Sequence, residues 1–212
     1  IKLWPFLIFT VVLTGFIYPI EGAWKWGAGW LAPGTDDSWI KTFAGADFQD
    51  FAGSTVVHSC GGWAALAGAI FLGARYGRYT ADGKVVAMPG SSMPLATLGT
   101  FILWLGWFGF NGGSQLAIGS MADASAVSRI FVNTNLAAAA GVVIAIILTQ
   151  LFYGKVDITM ALNGALAGLV AITAEPLPPE PLWSILIGAI GGVRGVLSCP
   201  LPGRLKPTTV VV

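Results

Sequence analysis

The residue with the most chemical potential in this chain is its single histidine, His58. It sits in the run Asp50-Phe51-Ala52-Gly53-Ser54-Thr55-Val56-Val57-His58-Ser59-Cys60-Gly61-Gly62-Trp63-Ala64-Ala65-Leu66. Wound as a helix from Asp50 at a rise of 1.5 Å per residue, the run would carry the imidazole about 12 Å below its acidic end. An imidazole at that depth can hydrogen-bond or carry a proton, and an ionisable group inside a membrane-spanning helix is by default a functional hypothesis. Taken alone, the run leaves a hydrogen-bonded structural histidine equally open. Asp50 suits the start of the helix, where a carboxylate satisfies backbone N–H groups and meets the positive end of the dipole. Metal ligation is disfavoured, because Cys60 at i+2 points to another side of a helix and no second histidine completes a site. No metal and no cofactor is expected. Ser114, in Gly112-Gly113-Ser114, is the other reactive candidate, and a buried His with a Ser beside a glycine-rich turn is what an intramembrane serine hydrolase would use. Against this, Ser114 is predicted at the outer end of its span and His58 near mid-depth, so the chain reads as a non-enzyme.

The elements that position these residues follow from composition. The chain is 55% hydrophobic and 10% charged, far below the roughly 25% charge of soluble domains, so it reads as an integral membrane protein with the lipid bilayer as its partner. A net charge of +1 provides no basic stripe for a phosphate backbone, which argues against nucleic acid. Cys60 and Cys199 read as small buried hydrophobes. Six all-α spans are predicted: Ile1 to Tyr18, Asp50 to Ala74, Met93 to Asn111, Ser128 to Tyr153, Met160 to Ala174 and Leu182 to Cys199. The first is read as a span and not a signal peptide, since no charged leader with a small-residue cleavage site is visible. Pro19 to Gln49, with Trp24, Trp26, Trp30 and Trp39, is predicted to be a surface loop, and a polar connector is predicted through Ala126. Residues 1–199 form the membrane domain and 200–212 an atypical, disordered tail.

Lys2, Arg75, Arg78, Lys84, Lys155, Arg204 and Lys206 fall on one side of these six spans, and only Lys25 and Lys41 in loops on the other. The positive-inside rule makes the first side cytoplasmic. The opposite side carries Glu21, Asp36, Asp37, Asp47, Asp50, Asp123, Glu175 and Glu180, a face that would favour a cation. Small residues at four-residue spacing (Gly61, Ala65, Ala69 and Gly73; Gly164 and Gly168; Gly188 and Gly192) predict close helix packing in the second, fifth and sixth spans.

Three motifs in order resemble the ammonium transporter family (Amt/Mep/Rh), on its bacterial Amt side. They are the Asp50 to Leu66 run, Trp104-Leu105-Gly106-Trp107-Phe108-Gly109-Phe110-Asn111-Gly112-Gly113-Ser114, and Leu162-Asn163-Gly164-Ala165-Leu166-Ala167-Gly168-Leu169-Val170-Ala171-Ile172-Thr173. The resemblance covers roughly Pro19 to Gly192. It implies a polytopic helix bundle of about eleven spans in inverted repeats, of which this chain matches about the fourth to the ninth, assembled as a homotrimer in a cell inner (plasma) membrane. It implies that ammonium is captured at an outer vestibule and passes as ammonia through an apolar, histidine-lined pore. Trp26 resembles the vestibule tryptophan, whose ring would hold the cation by cation–π attraction. Ser114 resembles the vestibule hydrogen-bond acceptor, Phe110 one of two gate phenylalanines, and His58 the first of twin pore histidines. Asp50 and Asn111 correspond to structural positions near the vestibule. A PII-type signalling protein enters as a candidate regulator.

The departures are a missing second histidine and second gate phenylalanine, Arg194 inside a span, and Glu175-Pro176-Leu177-Pro178-Pro179 after the third motif. They imply that this stretch does not conduct by itself. The alternatives kept beside transport are the hydrolase and a non-transporting ammonium sensor or scaffold.

Overall fold

A computed structural model describes residues 1–32, 34, 39–86 and 88–198. The predicted tail 200–212, with Arg204 and Lys206, lies outside the described residues, as do Asp36, Asp37 and Cys199. Within them the chain is almost wholly helical: α1 (Leu3–Val12), α2 (Tyr18–Trp26), α3 (Trp39–Ala44), α4 (Cys60–Leu72), α5 (Met93–Gly113), α6 (Met121–Tyr153), α7 (Ile158–Ile172) and α8 (Pro181–Ser198). A π-helical turn, Leu13–Ile17, joins α1 to α2, and a second, Ser54–Ser59, leads into α4. Five of the resulting rods are long and apolar enough to cross a membrane: Leu3–Trp26, Ser54–Leu72, Met93–Gly113, Met121–Tyr153 and Pro181–Ser198.

The first helix runs past its predicted end. Pro19 suggests a break, because it has no N–H to donate and its ring presses on the carbonyl four residues back. That carbonyl belongs to Gly15, inside the wider Leu13–Ile17 turn, and the helix continues to Trp26. Trp24 and Trp26 are therefore on a helix and not in the predicted loop.

α6, α7 and α8 form the closely packed part of the bundle. Ile130, Ala137, Ala138 and Ala145 of α6, Ala161, Ala165, Leu169 and Ile172 of α7, and Val196 of α8 are buried. The glycines at these crossings are required by backbone contact. A methyl group on Gly141 would collide with the Gly164 carbonyl, one on Gly168 with the Ala137 carbonyl, and one on Gly188 with Ala137 as well. This is the small-residue packing predicted for the fifth and sixth spans, and Gly141 adds α6 to it.

The same expectation does not hold for the second span. Among the described residues, α4 buries no residue and nothing lies within 4 Å of a methyl built on Gly61. Two boundaries also differ from the sequence reading, and the fifth span proves short. The second span starts at Ser54, because Gly53 is left-handed at φ +106° and cannot continue a helix back to Asp50. The fourth begins at Met121, where Ser120 Oγ accepts the Asp123 N–H at 3.1 Å and so caps a helix in what was predicted as connector. The fifth, Ile158–Ile172, has 15 residues and is about 22 Å long at 1.5 Å per residue, short of a hydrocarbon core of about 30 Å.

Candidate functional site

One end of the candidate site is built around the Asp50 carboxylate, which is 1% exposed. Its Oδ1 accepts the N–H groups of Gly53 (3.1 Å) and Ser54 (2.8 Å), and its Oδ2 those of Thr55 (3.0 Å) and Val56 (2.8 Å). A helix start leaves such donors without intrahelical partners, and here one side chain collects them. Gly53 makes this fold-back possible: its φ suits glycine, and a methyl there would strike the Val57 side chain and sit 3.0 Å from the Trp26 ring. Trp26 Nε1 donates to the Asp50 backbone carbonyl at 3.2 Å, so the indole is tied at one edge while about half its surface stays exposed. Beside it, the Lys25 side chain is buried, donating from Nζ to the Phe48 carbonyl and lying 5.6 Å from that residue's ring centroid.

His58 lies one turn into the rod that begins at Ser54, and the link 50–53 before it is not helical. Its ring stacks on Trp107 with centroids 4.9 Å apart and an interplanar angle of 16°, and it meets Phe110 at 5.3 Å and 40°. Trp107 and Phe110 are 5.6 Å apart, so the three rings form one aromatic cluster. Among the described residues, His58 Nε2 is buried without a hydrogen-bond partner. A buried polar nitrogen against aromatic walls can hydrogen-bond to a small polar molecule. Ser114 sits one turn past Phe110, and its Oγ donates to the Phe110 carbonyl at 2.9 Å. That leaves its oxygen lone pairs available as acceptors. No hydrogen bond joins Ser114 to His58 among the described residues, and the serine's proton is directed to its own backbone.

Asn111, fully buried, donates to Thr134 Oγ1 at 3.0 Å and ties α5 to α6. Asn133, on α6 next to Thr134, donates to the carbonyls of Pro176 (2.9 Å) and Pro179 (2.8 Å). The unusual Pro-rich segment is thereby clasped from inside the bundle. Trp107 Nε1 donates to Thr173 Oγ1 at 2.8 Å.

Of the six predicted site residues, the structure links Trp26 to Asp50 and His58 to Phe110. Ser114 attaches to the second pair through the Phe110 carbonyl, and Asn111 braces the same helix. Four others emerge from the geometry alone: Gly53, Lys25, Trp107 and Thr173. Trp107 and Thr173 lie in the motifs quoted above, but nothing in their spacing tells that one hydrogen-bonds to the other across 66 positions.

A bundle of apolar helices, five of them long enough to cross a membrane, with a histidine held among aromatic rings, defines a polytopic membrane protein. Comparison with known proteins gives the family. The profile of the Ammonium Transporter Family matches residues 1–208. The chain is 49% identical to the ammonium transporter Amt2 of Archaeoglobus fulgidus over 187 residues, covering 88% of this chain and 39% of that protein. It is 41% identical over 191 residues to ammonium transporter 1 member 3 of Solanum lycopersicum, covering 86% of this chain and 41% of that protein. Among solved structures it superposes on a sensor Amt protein with a TM-score of 0.77 at 40% identity, covering 90% of this chain and 44% of that one. It superposes on Candida albicans Mep2 with a TM-score of 0.75 at 31% identity, covering 97% of this chain and 41% of that one. The chain belongs to the ammonium transporter family. It spans about two-fifths of the length of these relatives.

Proposed function

We propose that this chain supplies the outer capture site and the first stretch of pore of a transporter that moves ammonium nitrogen across a cell inner (plasma) membrane. The observation that carries the reading is the His58 ring stacked on Trp107 and against Phe110, with its Nε2 buried and unpartnered. Ammonium would be held at the mouth by the face of Trp26 and by the lone pairs of Ser114. Cation–π attraction of this kind amounts to about 0.5 to 2 kcal/mol. An unpaired ammonium ion would face a large desolvation cost beyond Phe110, whereas neutral ammonia would not, so proton loss belongs before that ring. Ammonia then hydrogen-bonds to His58 as it passes.

The family supports a homotrimer as the working assembly and a PII-type signalling protein as the regulatory partner, and both belong to this proposal. Uptake of labelled methylammonium by cells expressing the full reading frame tests it. Replacing His58→Ala and Trp26→Leu together should abolish uptake, and unchanged uptake would remove both assigned roles. The same assay separates transport from sensing, since a sensor would bind methylammonium without accumulating it.

A further inference from the structure

We infer that Thr173, the last residue of the third motif, is a positioning residue that sets His58 against Trp107, and that it does so from both sides of the stack. Its functional consequence rests on the transport reading above. The geometry does not.

The first side is the indole. A tryptophan N–H can only donate, and a buried one needs an acceptor. Trp107 is 9% exposed and Thr173 fully buried, and the acceptor for Nε1 is Thr173 Oγ1 at 2.8 Å. The threonine hydroxyl in turn donates to the Leu169 carbonyl at 2.6 Å, which turns its lone pairs toward the indole. Trp107 also packs on Leu169 and Ala138, so packing and hydrogen bond together fix the plane on which His58 lies.

The second side is the main chain. α7 ends at Ile172, so the Thr173 and Ala174 carbonyls just past it lie outside its hydrogen-bond ladder and need partners elsewhere. Ala52 N–H donates to the Thr173 carbonyl at 3.1 Å, and Phe51 N–H to the Ala174 carbonyl at 2.6 Å. Phe51 and Ala52 lie in the short link between Asp50 and Gly53, immediately before the π-turn that carries His58. The threonine side chain therefore fixes the ring that receives the imidazole, and its backbone fixes the strand of chain that delivers it. A stack made by two separate helices gains one common reference point. Valine in its place would keep shape and main-chain bonds and remove only the side-chain acceptor.

In a histidine-labelled sample of the full reading frame, the His58 imidazole signal is identified by its loss in His58→Gln. In detergent or nanodiscs, Thr173→Val should move the His58 ring-proton resonances away from their position over the Trp107 face or broaden them. Thr173→Ser, which keeps the hydroxyl, should match the wild type. Thr173→Cys, a weaker acceptor of similar size, should fall between and serves if the valine variant does not fold. In the full reading frame, Thr173→Val should lower maximal methylammonium uptake about five- to tenfold, the equivalent of one lost buried hydrogen bond, with KM within about twofold. Thr173→Ser should restore it. A His58 resonance that is unchanged in Thr173→Val, or in Thr173→Cys if the valine variant does not fold, overturns the positioning role. A resonance that moves as expected in a protein whose wild type takes up no methylammonium upholds the positioning role and overturns the transport reading instead.

Discussion

The Asp50 carboxylate ends in four backbone N–H groups and almost no water, which makes it the least replaceable polar group at the mouth. An amide of the same shape offers one acceptor oxygen instead of two and turns its own donors toward backbone donors. Asp50→Asn is expected to destabilise the protein by about 2 to 4 kcal/mol, the cost of leaving buried donors unmet, seen as a lower unfolding midpoint in detergent. Lys25 is the less obvious neighbour: a buried cation next to the ring proposed to capture cations. Its bond to the Phe48 carbonyl shows that it braces the loop instead of occupying the Trp26 face. Lys25→Met should keep the packing, lose that bond, and make the 45–53 segment more susceptible to protease, while an equal cleavage rate would refute the brace. At this scale the sequence tells which residue types are rare in an apolar chain, namely one histidine and an acid at a helix start. It does not tell that Asp50 folds back over four residues or that Lys25 turns to Phe48, because both depend on a left-handed Gly53 and on loop geometry.

Helices were legible where hydropathy ran without interruption, and their ends were not. Pro19 misleads because the π-turn before it absorbs the clash, and Ser120 misleads because a cap looks like loop until its acceptor role is seen. The small-residue pattern predicts packing on α4 and on α7 alike, yet only α7 meets neighbours close enough to require it. The two should therefore respond differently to mutation. Gly168→Val pushes a side chain into the Ala137 carbonyl and is expected to prevent stable α6–α7 docking, whereas Gly61→Ala enters open space and should leave the unfolding midpoint of these 212 residues within about 0.5 kcal/mol of wild type. The cap of α7 adds a pH dependence. The Thr159 hydroxyl hydrogen-bonded to Asp157 holds that carboxyl below its ordinary value, helped by the Met160 and Thr159 N–H groups and by Lys155, against partial burial. A depressed folded-state pKa contributes stability above the unfolded value of about 3.9, and that contribution is lost as pH falls through the folded value. Acid titration of the unfolding midpoint should be flatter below about pH 4 in Asp157→Ser, which keeps a cap and removes the charge.

At the scale of the whole molecule, the positive-inside reading makes the Arg75 to Lys84 loop cytoplasmic and the Gln115 to Ser120 loop external. With Cys60 and Cys199 replaced by alanine, a membrane-impermeant thiol reagent should label Gln115→Cys in intact cells and Lys84→Cys only after permeabilisation. The reverse pattern would invert the capture site. Composition alone was enough to show a membrane bundle, and three motifs were enough to place its family. What neither could show is how unevenly the bundle is packed: α6, α7 and α8 share a core, while the Leu3–Trp26 rod and α4 bury almost nothing of their own.

The turn Ser54–Ser59 has one more consequence. His58 N–H reaches back to the Gly53 carbonyl, five residues earlier, so one extra amino acid is wound into the helix compared with an α-turn. An in-frame loss of a single codon between Gly53 and His58 would not simply shorten the rod. It would let the turn relax to α geometry with the imidazole left on nearly its present face, because four residues at about 100° each turn the chain about as far as five in the wider turn. Loss of a second codon, with no wide turn left to absorb it, would swing the imidazole by about 100° around the axis, away from Trp107.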